Sequence, residues 1–133
     1  MTLEERSLEV GAWLSRARED LRAASVGLDV SPPLLSDAAF HCQQAVEKAL
    51  KALLTWHAEP FRNTHDIGEL AVVSLAHEPS MEGLLRTAAP FTEYAWRFRH
   101  PGEPFEPDRV ELDAALTIAR EVVARVERSV EAR

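Results

Sequence analysis

The fold of this protein is decided by residues 40–54, which read FHCQQAVEKALKALL. Within this stretch and just after it, apolar side chains recur at steps of four and three, the spacing that gives an α-helix one buried face. This apolar stripe consists of Cys42, Val46, Ala49, Leu53 and Trp56. A second stripe beside it is wholly polar and consists of His41, Gln44, Lys48 and Lys51.

Gln43 and Glu47 lie four residues apart on the other flank of the apolar stripe. Amide and charged groups next to a core face are costly to bury unless their hydrogen bonds are satisfied. We therefore expect a second helix, a second subunit or a ligand to supply the partners of this polar face.

Length and composition are typical of one soluble domain. The chain has 133 residues, of which 46% are hydrophobic and 28% are charged, so a single domain over residues 1–133 with one core is expected. The net charge of −7 argues against tight nonspecific binding to a phosphate backbone, although it leaves room for a local basic patch.

Cys42 is the single cysteine, which excludes an internal disulfide and a multi-cysteine zinc site built from one chain. His41 and His57 lie too far apart along one helix to share a metal ion, so neither a metal nor a cofactor is expected. The charged N-terminus lacks the apolar run of a signal peptide, and no segment has membrane-spanning length. We expect a cytoplasmic protein that does not associate with membranes.

The apolar periodicity predicts four to five helices and no strand. The predicted helices cover residues 2–29, about 34–57, a shorter stretch ending near 77, residues 81–98 with an interruption at Pro90, and a last stretch that starts after 108. The connections between them are short, which favours an all-α antiparallel helical bundle.

Polar residues at the predicted helix starts are candidates for N-caps. They are Ser31 for the second helix, Asn63 or Thr64 for the third, and Asp108 for the last. Glu111 follows Asp108 by three residues, so this pair predicts an arrangement like a capping box.

Three blocks of the sequence resemble the HEPN domain family, and they occur in the family's order. Residues 43–52 (QQAVEKALKA) resemble the family's signature helix, and residues 64–67 (THDI) with Leu70 look like its Thr-His-Asp motif. Tyr94, Arg97 and the run His100-Pro101-Gly102 resemble its Tyr…Arg-Tyr-Pro-Gly element. The resemblance covers nearly the whole chain.

Membership of this family would imply an all-helical bundle that pairs as a homodimer. The resemblance is to the small stand-alone type, which is often encoded beside a minimal nucleotidyltransferase and sometimes forms a toxin–antitoxin pair with it. Many members of the family with a different motif are metal-independent ribonucleases, in which two subunits build a composite cleft at the dimer interface.

Arg97, Arg99 and His100 are the candidate catalytic residues if this protein is such a ribonuclease. Metal-independent RNA cleavage needs a proton-exchanging group and a cation for the phosphate charge, and these residues contain both types. However, Arg97 and His100 are closer together than in the family's ribonuclease motif, and Pro101 places His100 at or beyond the helix end. The alternative is that the arginines cap carbonyls or pair with carboxylates.

The candidates for ligand binding are Gln44, Lys48, Lys51, His65 and Arg97. The polar stripe suits a nucleotide or RNA phosphate, but it equally suits carboxylates on a partner helix. His65 with Thr64 at a helix start suits an anion pocket, or it simply packs while its neighbours cap the helix.

The sequence therefore predicts a HEPN-type interaction or nucleotide-binding protein. It would act as a homodimer with a separately encoded nucleotidyltransferase and bind a nucleotide or RNA. A metal-independent ribonuclease toxin and a purely structural bundle subunit are the two alternatives.

Overall fold

The computed structural model describes residues 1–95, 97, 101 and 106–131. These residues form five α-helices and contain no β-strand. The helices are α1 (Leu3–Asp29), α2 (Leu35–Trp56), α3 (Ile67–His77), α4 (Glu82–Ala88) and α5 (Arg109–Glu131). Two 3-10 segments, Pro79–Met81 and Ala89–Ala95, flank α4. The predicted all-α helical bundle is confirmed.

The central element of the bundle is α2, of whose 22 residues 15 are buried. Four of the five residues of its apolar stripe, Cys42, Val46, Ala49 and Leu53, are 0% exposed, and the fifth, Trp56, is partly buried. The helices α1, α3 and α5 and the 3-10 segment 89–95 all pack against α2. Polar residues on α2 are therefore forced to find partners inside the bundle.

The loop between α1 and α2 leads into α2 without a side-chain N-cap. The N-cap position of α2 is Leu34, whose backbone N–H donates to the carbonyl of Gly27 at 2.8 Å. The prediction that Ser31 caps the second helix was wrong, because α2 begins only at Leu35 and Ser31 lies in the preceding loop.

The start of α3 also differs from the prediction. The cap is Asp66, whose Oδ1 accepts from the backbone N–H of Glu69 at 3.2 Å, and neither Asn63 nor Thr64 caps the helix. The hydroxyl of Thr64 is used by a different backbone group, since it accepts from the N–H of Asp66 at 3.0 Å. The backbone of Asp66 itself is extended, so α3 begins only at Ile67.

The predicted fourth helix is shorter than expected. It ends at Ala88 and continues as the 3-10 segment Ala89–Ala95, which contains Pro90, as expected for a residue that interrupts an α-helix. At α5 the expected cap is present, since Asp108 Oδ1 accepts from the N–H of Glu111 at 2.7 Å. The Glu111 carboxylate accepts a hydrogen bond from the Tyr94 hydroxyl, also at 2.7 Å.

None of the helices in the described part of the chain combines the length and apolar character needed to cross a lipid bilayer.

Candidate functional site

Glu47 lies at the centre of a polar network on α2 and is only 3% exposed. Its Oε1 accepts from Gln43 Nε2 at 3.0 Å and lies 2.7 Å from His65 Nδ1. Gln44 Nε2 lies 3.4 Å from the same oxygen. The other carboxylate oxygen of Glu47, Oε2, accepts from Lys51 Nζ at 2.9 Å. We call these five residues the Glu47 network.

The carboxyl group of Glu47 is ionised at neutral pH. Burial raises the pKa of Glu47, but the hydrogen bonds from Gln43, His65 and Lys51, together with the charge of Lys51, outweigh burial, so that the pKa lies below the ordinary value of 4.5. Because an ionised carboxylate only accepts hydrogen bonds, Nδ1 of His65 carries the hydrogen. The other ring nitrogen, Nε2, has no hydrogen-bond partner among the described residues.

Lys51 balances the buried charge of Glu47 from inside the bundle. It is 2% exposed, and its Nζ also donates to Asn63 Oδ1 at 3.2 Å. The ammonium lies 5.5 Å from the centroid of the Trp13 ring, within cation–π range. Because Lys51 is buried, it influences the protein surface only through the groups that it orients, Glu47 and Asn63.

His65 brings the Glu47 network to the protein surface. Its side chain is 70% exposed, although its ring is held by Glu47. The backbone is fixed as well, because the carbonyl of His65 accepts from Gln43 Nε2 at 3.0 Å and the next residue, Asp66, is the cap of α3. The ring is thus presented to solvent in one orientation.

A second buried carboxylate lies on the other side of the polar stripe. Asp20 of α1 is 6% exposed; its Oδ1 lies 2.7 Å from His41 Nδ1, and its Oδ2 accepts from Lys48 Nζ at 2.6 Å. The side chains of His41 and Lys48 are 28% and 18% exposed. Two histidines are therefore each held at Nδ1 by a buried carboxylate.

The sequence reasoning missed Asp20. Its signal was its position, since it follows Ala17 by three residues and precedes Ala24 by four, and so lies on the buried line of α1. A charged residue on an apolar helix face predicts a buried partner.

The structure separates the predicted binding residues into three groups. It brings Gln44, Lys51 and His65 together around Glu47, and it pairs Lys48 with Asp20 of α1. Arg97 belongs to neither cluster, and its Nη1 donates to Glu93 Oε2 at 2.9 Å. Arg99 and His100, predicted for a ribonuclease, lie outside the described residues.

The single cysteine of the chain is masked by packing. Burial raises the pKa of the Cys42 thiol to about 12, so the sulfur is neutral and shielded. No three His, Cys, Asp or Glu side chains in the described ranges gather in a way that could hold a metal ion.

The fold and this site define a helical-bundle domain in which two buried carboxylates, Glu47 on α2 and Asp20 on α1, each hold a histidine ring, that of His65 and that of His41. A model of the HEPN domain family matches residues 10–129, and the chain belongs to that family. The matched range includes both clusters. Comparison with curated proteins and with solved structures gave no match.

Proposed function

We propose that this protein binds the phosphate group of a nucleotide or of RNA at the exposed ring of His65. The proposal depends on one observation: a 70% exposed imidazole is held at Nδ1, 2.7 Å from a buried ionised carboxylate. In the doubly protonated form of the ring, Nε2–H donates outward to a phosphate oxygen while Nδ1–H stays bonded to Glu47. Orientation by a carboxylate lowers the entropic cost of binding.

The other predicted binding residues have distinct roles in this proposal. Gln44 shares Oε1 of Glu47 with His65, although it lies further from that oxygen, at 3.4 Å. Lys51 donates to Glu47 from inside the bundle and so orients it, and Lys48 lies further along the polar stripe of α2. Arg97, which lies outside both clusters and donates to Glu93, is assigned a separate phosphate of a bound RNA.

We further propose that the protein acts as a homodimer with a separately encoded nucleotidyltransferase, as one half of a toxin–antitoxin pair in the cytoplasm. Membership of the HEPN domain family supports this arrangement. In it, the His65 surface presents a nucleotide or RNA segment to the partner enzyme. Sedimentation equilibrium of the protein alone and mixed with that enzyme measures both associations.

Titration with a mononucleotide and with short RNAs tests the binding function directly. We expect His65→Gln to weaken binding by roughly tenfold or more, since a hydrogen bond to a charged group is worth about 1.5–3 kcal/mol. His77→Gln is the matched control, because it removes a histidine at the far end of α3. If neither the protein alone nor its mixture with the nucleotidyltransferase binds any of these ligands, the function is not phosphate binding.

A metal-independent ribonuclease toxin with a composite site at the dimer interface is the second candidate. Family membership and the presence of Arg97, whose side chain is 46% exposed, favour it. RNA is incubated with the purified protein in the presence of a chelator. Cleavage that disappears in both Arg97→Ala and His100→Ala would assign the reaction to that site, whereas loss only in His65→Gln would assign it to the Glu47 network. The absence of both binding and cleavage would favour a purely structural subunit.

A further inference from the structure

We infer that a groove at the loop between α1 and α2 docks an amphipathic helix of a partner protein, one that has an apolar face and basic flanks. Two cavities of about 410 and 400 Å³ form this groove, and they adjoin because Leu34 and Asp37 line both. We call it the hairpin groove. No residue of the Glu47 network lines either cavity, so the inference does not depend on the proposed phosphate site.

The larger cavity of the hairpin groove lies between α1 and the start of α2, where α1 contributes small residues. Ala23 and Gly27 line it on the α1 side. The backbone N–H of Leu34 donates to the carbonyl of Gly27 at 2.8 Å, so the two segments are close here. A methyl group at Gly27 would lie 3.6 Å from the carbonyl oxygen of Leu34. The missing side chain therefore leaves space between the segments.

Exposed apolar side chains concentrate around the same loop. Val26, Val30 and Leu34 are 53%, 41% and 52% exposed, and they are three of the eight large hydrophobic residues that are exposed in the described part of the chain. Val30 follows Val26 by one helical turn, and its N–H donates to the Val26 carbonyl at 3.2 Å. Val26 and Leu34 both line the larger cavity. Apolar side chains grouped at a groove are typical of a surface that another molecule covers.

The charged groups of the hairpin groove are mainly acidic. Glu19, Asp37, Arg22 and His41 line the larger cavity, and Asp37 and Glu106 line the smaller one. The three carboxylates outnumber the cationic groups whether or not the imidazole is charged. Glu19 and Glu106 form no ion pair with any described residue. Lysine or arginine side chains at the flanks of a partner would therefore meet complementary charges.

A helix suits this groove better than an extended strand does. The described residues contain no β-strand, so they offer no sheet edge to which a partner strand could add. A groove between two packed helices accepts side chains from one face of a third helix, at spacings of three and four residues. The net charge of −7 on the whole chain also favours the approach of a basic segment.

A designed peptide tests the chemistry of the partner. The probe is a fluorescein-labelled amphipathic helix of about 18 residues, or five turns, with leucine on one face and lysine on the other. The comparison peptide carries glutamate in place of lysine. We expect the wild-type protein to bind the lysine peptide at least about tenfold more tightly than the glutamate peptide, as measured by fluorescence anisotropy.

Substitutions in the protein test the location of the site. Leu34→Ser should weaken binding of the lysine peptide about tenfold or more, because it removes an apolar wall of the groove. Glu19→Lys should weaken it about threefold. Val72→Ser on α3 and Glu121→Lys on α5 are the matched controls at exposed positions outside the groove, and they should bind as the wild-type protein does. Val26→Ser, at an exposed position of α1, keeps the test informative if Leu34→Ser unfolds the protein.

Three results would overturn the inference: no binding of the lysine peptide, equal binding of the two peptides, or undiminished binding in both serine variants. Sedimentation equilibrium without peptide adds a fourth, because a dimer that dissociates in Leu34→Ser and Val26→Ser would assign the groove to a second copy of the chain. Nucleotide binding at His65 should be the same in all of these variants. The proposed phosphate site is thus tested separately from the hairpin groove.

Discussion

At the scale of single residues, Glu47 combines near-complete burial with an ionised carboxylate. Gln43, Gln44, His65 and Lys51 all direct hydrogen-bond donors at it, so that most of the acceptor capacity of its two oxygens is used. A buried charge of this kind contributes little net stability when intact, but removing one partner is costly. Its value lies in the fixed position that it gives to His65.

Glu47→Gln should destabilise the fold by about 3–5 kcal/mol, because the ammonium of Lys51 would stay buried without its counter-charge. Urea unfolding measures the change in the free energy of unfolding. Glu82→Gln is the matched control, since Glu82 pairs with Arg86 on the exposed face of α4, and it should change stability by about 0.5 kcal/mol or less. Equal effects of the two substitutions would show that the Glu47 network is not structurally important.

The stability of the protein should depend on Glu47 at acidic pH. The pKa of Glu47 in the folded state is lower than its ordinary value of 4.5, so the unfolded chain takes up the proton first. The stability contributed by the carboxylate is therefore complete above that ordinary value and is lost as the pH falls through the lower pKa of the folded protein. Urea unfolding across this acidic range gives the free energy of unfolding as a function of pH. This dependence should be shallower in Glu47→Gln than in the wild-type protein, and an unchanged dependence would contradict the depressed pKa.

At the scale of helices, the loop before α3 determines where His65 points. Asp66 caps α3, and Thr64 holds the backbone of Asp66. The ring of His65 is consequently fixed between a capped helix and the buried face of α2.

Asp66→Ala should lower the free energy of unfolding by about 1 kcal/mol through loss of the cap, and it should also weaken ligand binding at His65. Thr2→Ala is the matched control, because Thr2 caps α1 in a capping box with Glu5. It should cost a similar amount of stability without affecting binding. Thermal unfolding and the nucleotide titration separate the two effects; weakened binding in both variants would indicate a general loosening.

The elements of this fold could be predicted from periodicity, whereas the caps and the site could only be predicted in part. The apolar stripe of α2 identifies its buried face, and the spacing of Glu47 and Lys51 already suggests their pairing. The partnership of Asp20 with His41 and Lys48 depends on how α1 is rotated against α2, which periodicity does not specify. The choice of Asp66 over Thr64 as the cap depends on competing local hydrogen bonds of similar strength.

At the scale of the whole molecule, the packing of α1 against α2 makes the Asp20 cluster possible, because Asp20 of α1 pairs with His41 and Lys48 of α2. Fully buried alanines occur on both helices, among them Ala17 and Ala24 on α1 and Ala45 and Ala49 on α2, which are all 0% exposed. Small side chains allow the two helices to approach closely enough for Asp20 to reach His41 and Lys48.

Ala17→Leu should therefore destabilise the bundle by about 1–3 kcal/mol, since a larger side chain overfills the contact. Ala12→Leu on the exposed face of the same helix should change stability by about 0.5 kcal/mol or less. Urea unfolding of both variants provides the comparison. A tolerated Ala17→Leu would mean that α1 and α2 are not tightly packed in solution.

The hydrogen bond between Glu47 and His65 also makes a surface ring a spectroscopic reporter of the protein interior. The ring nitrogens of His65 are within reach of solvent, yet Nδ1 lies 2.7 Å from an oxygen that belongs to the core. A rearrangement around Lys51, which is 2% exposed, should be visible as a change in the nitrogen resonances of that one imidazole. An isotope label on His65 would then record, from outside, the electrostatic state of the centre of the bundle.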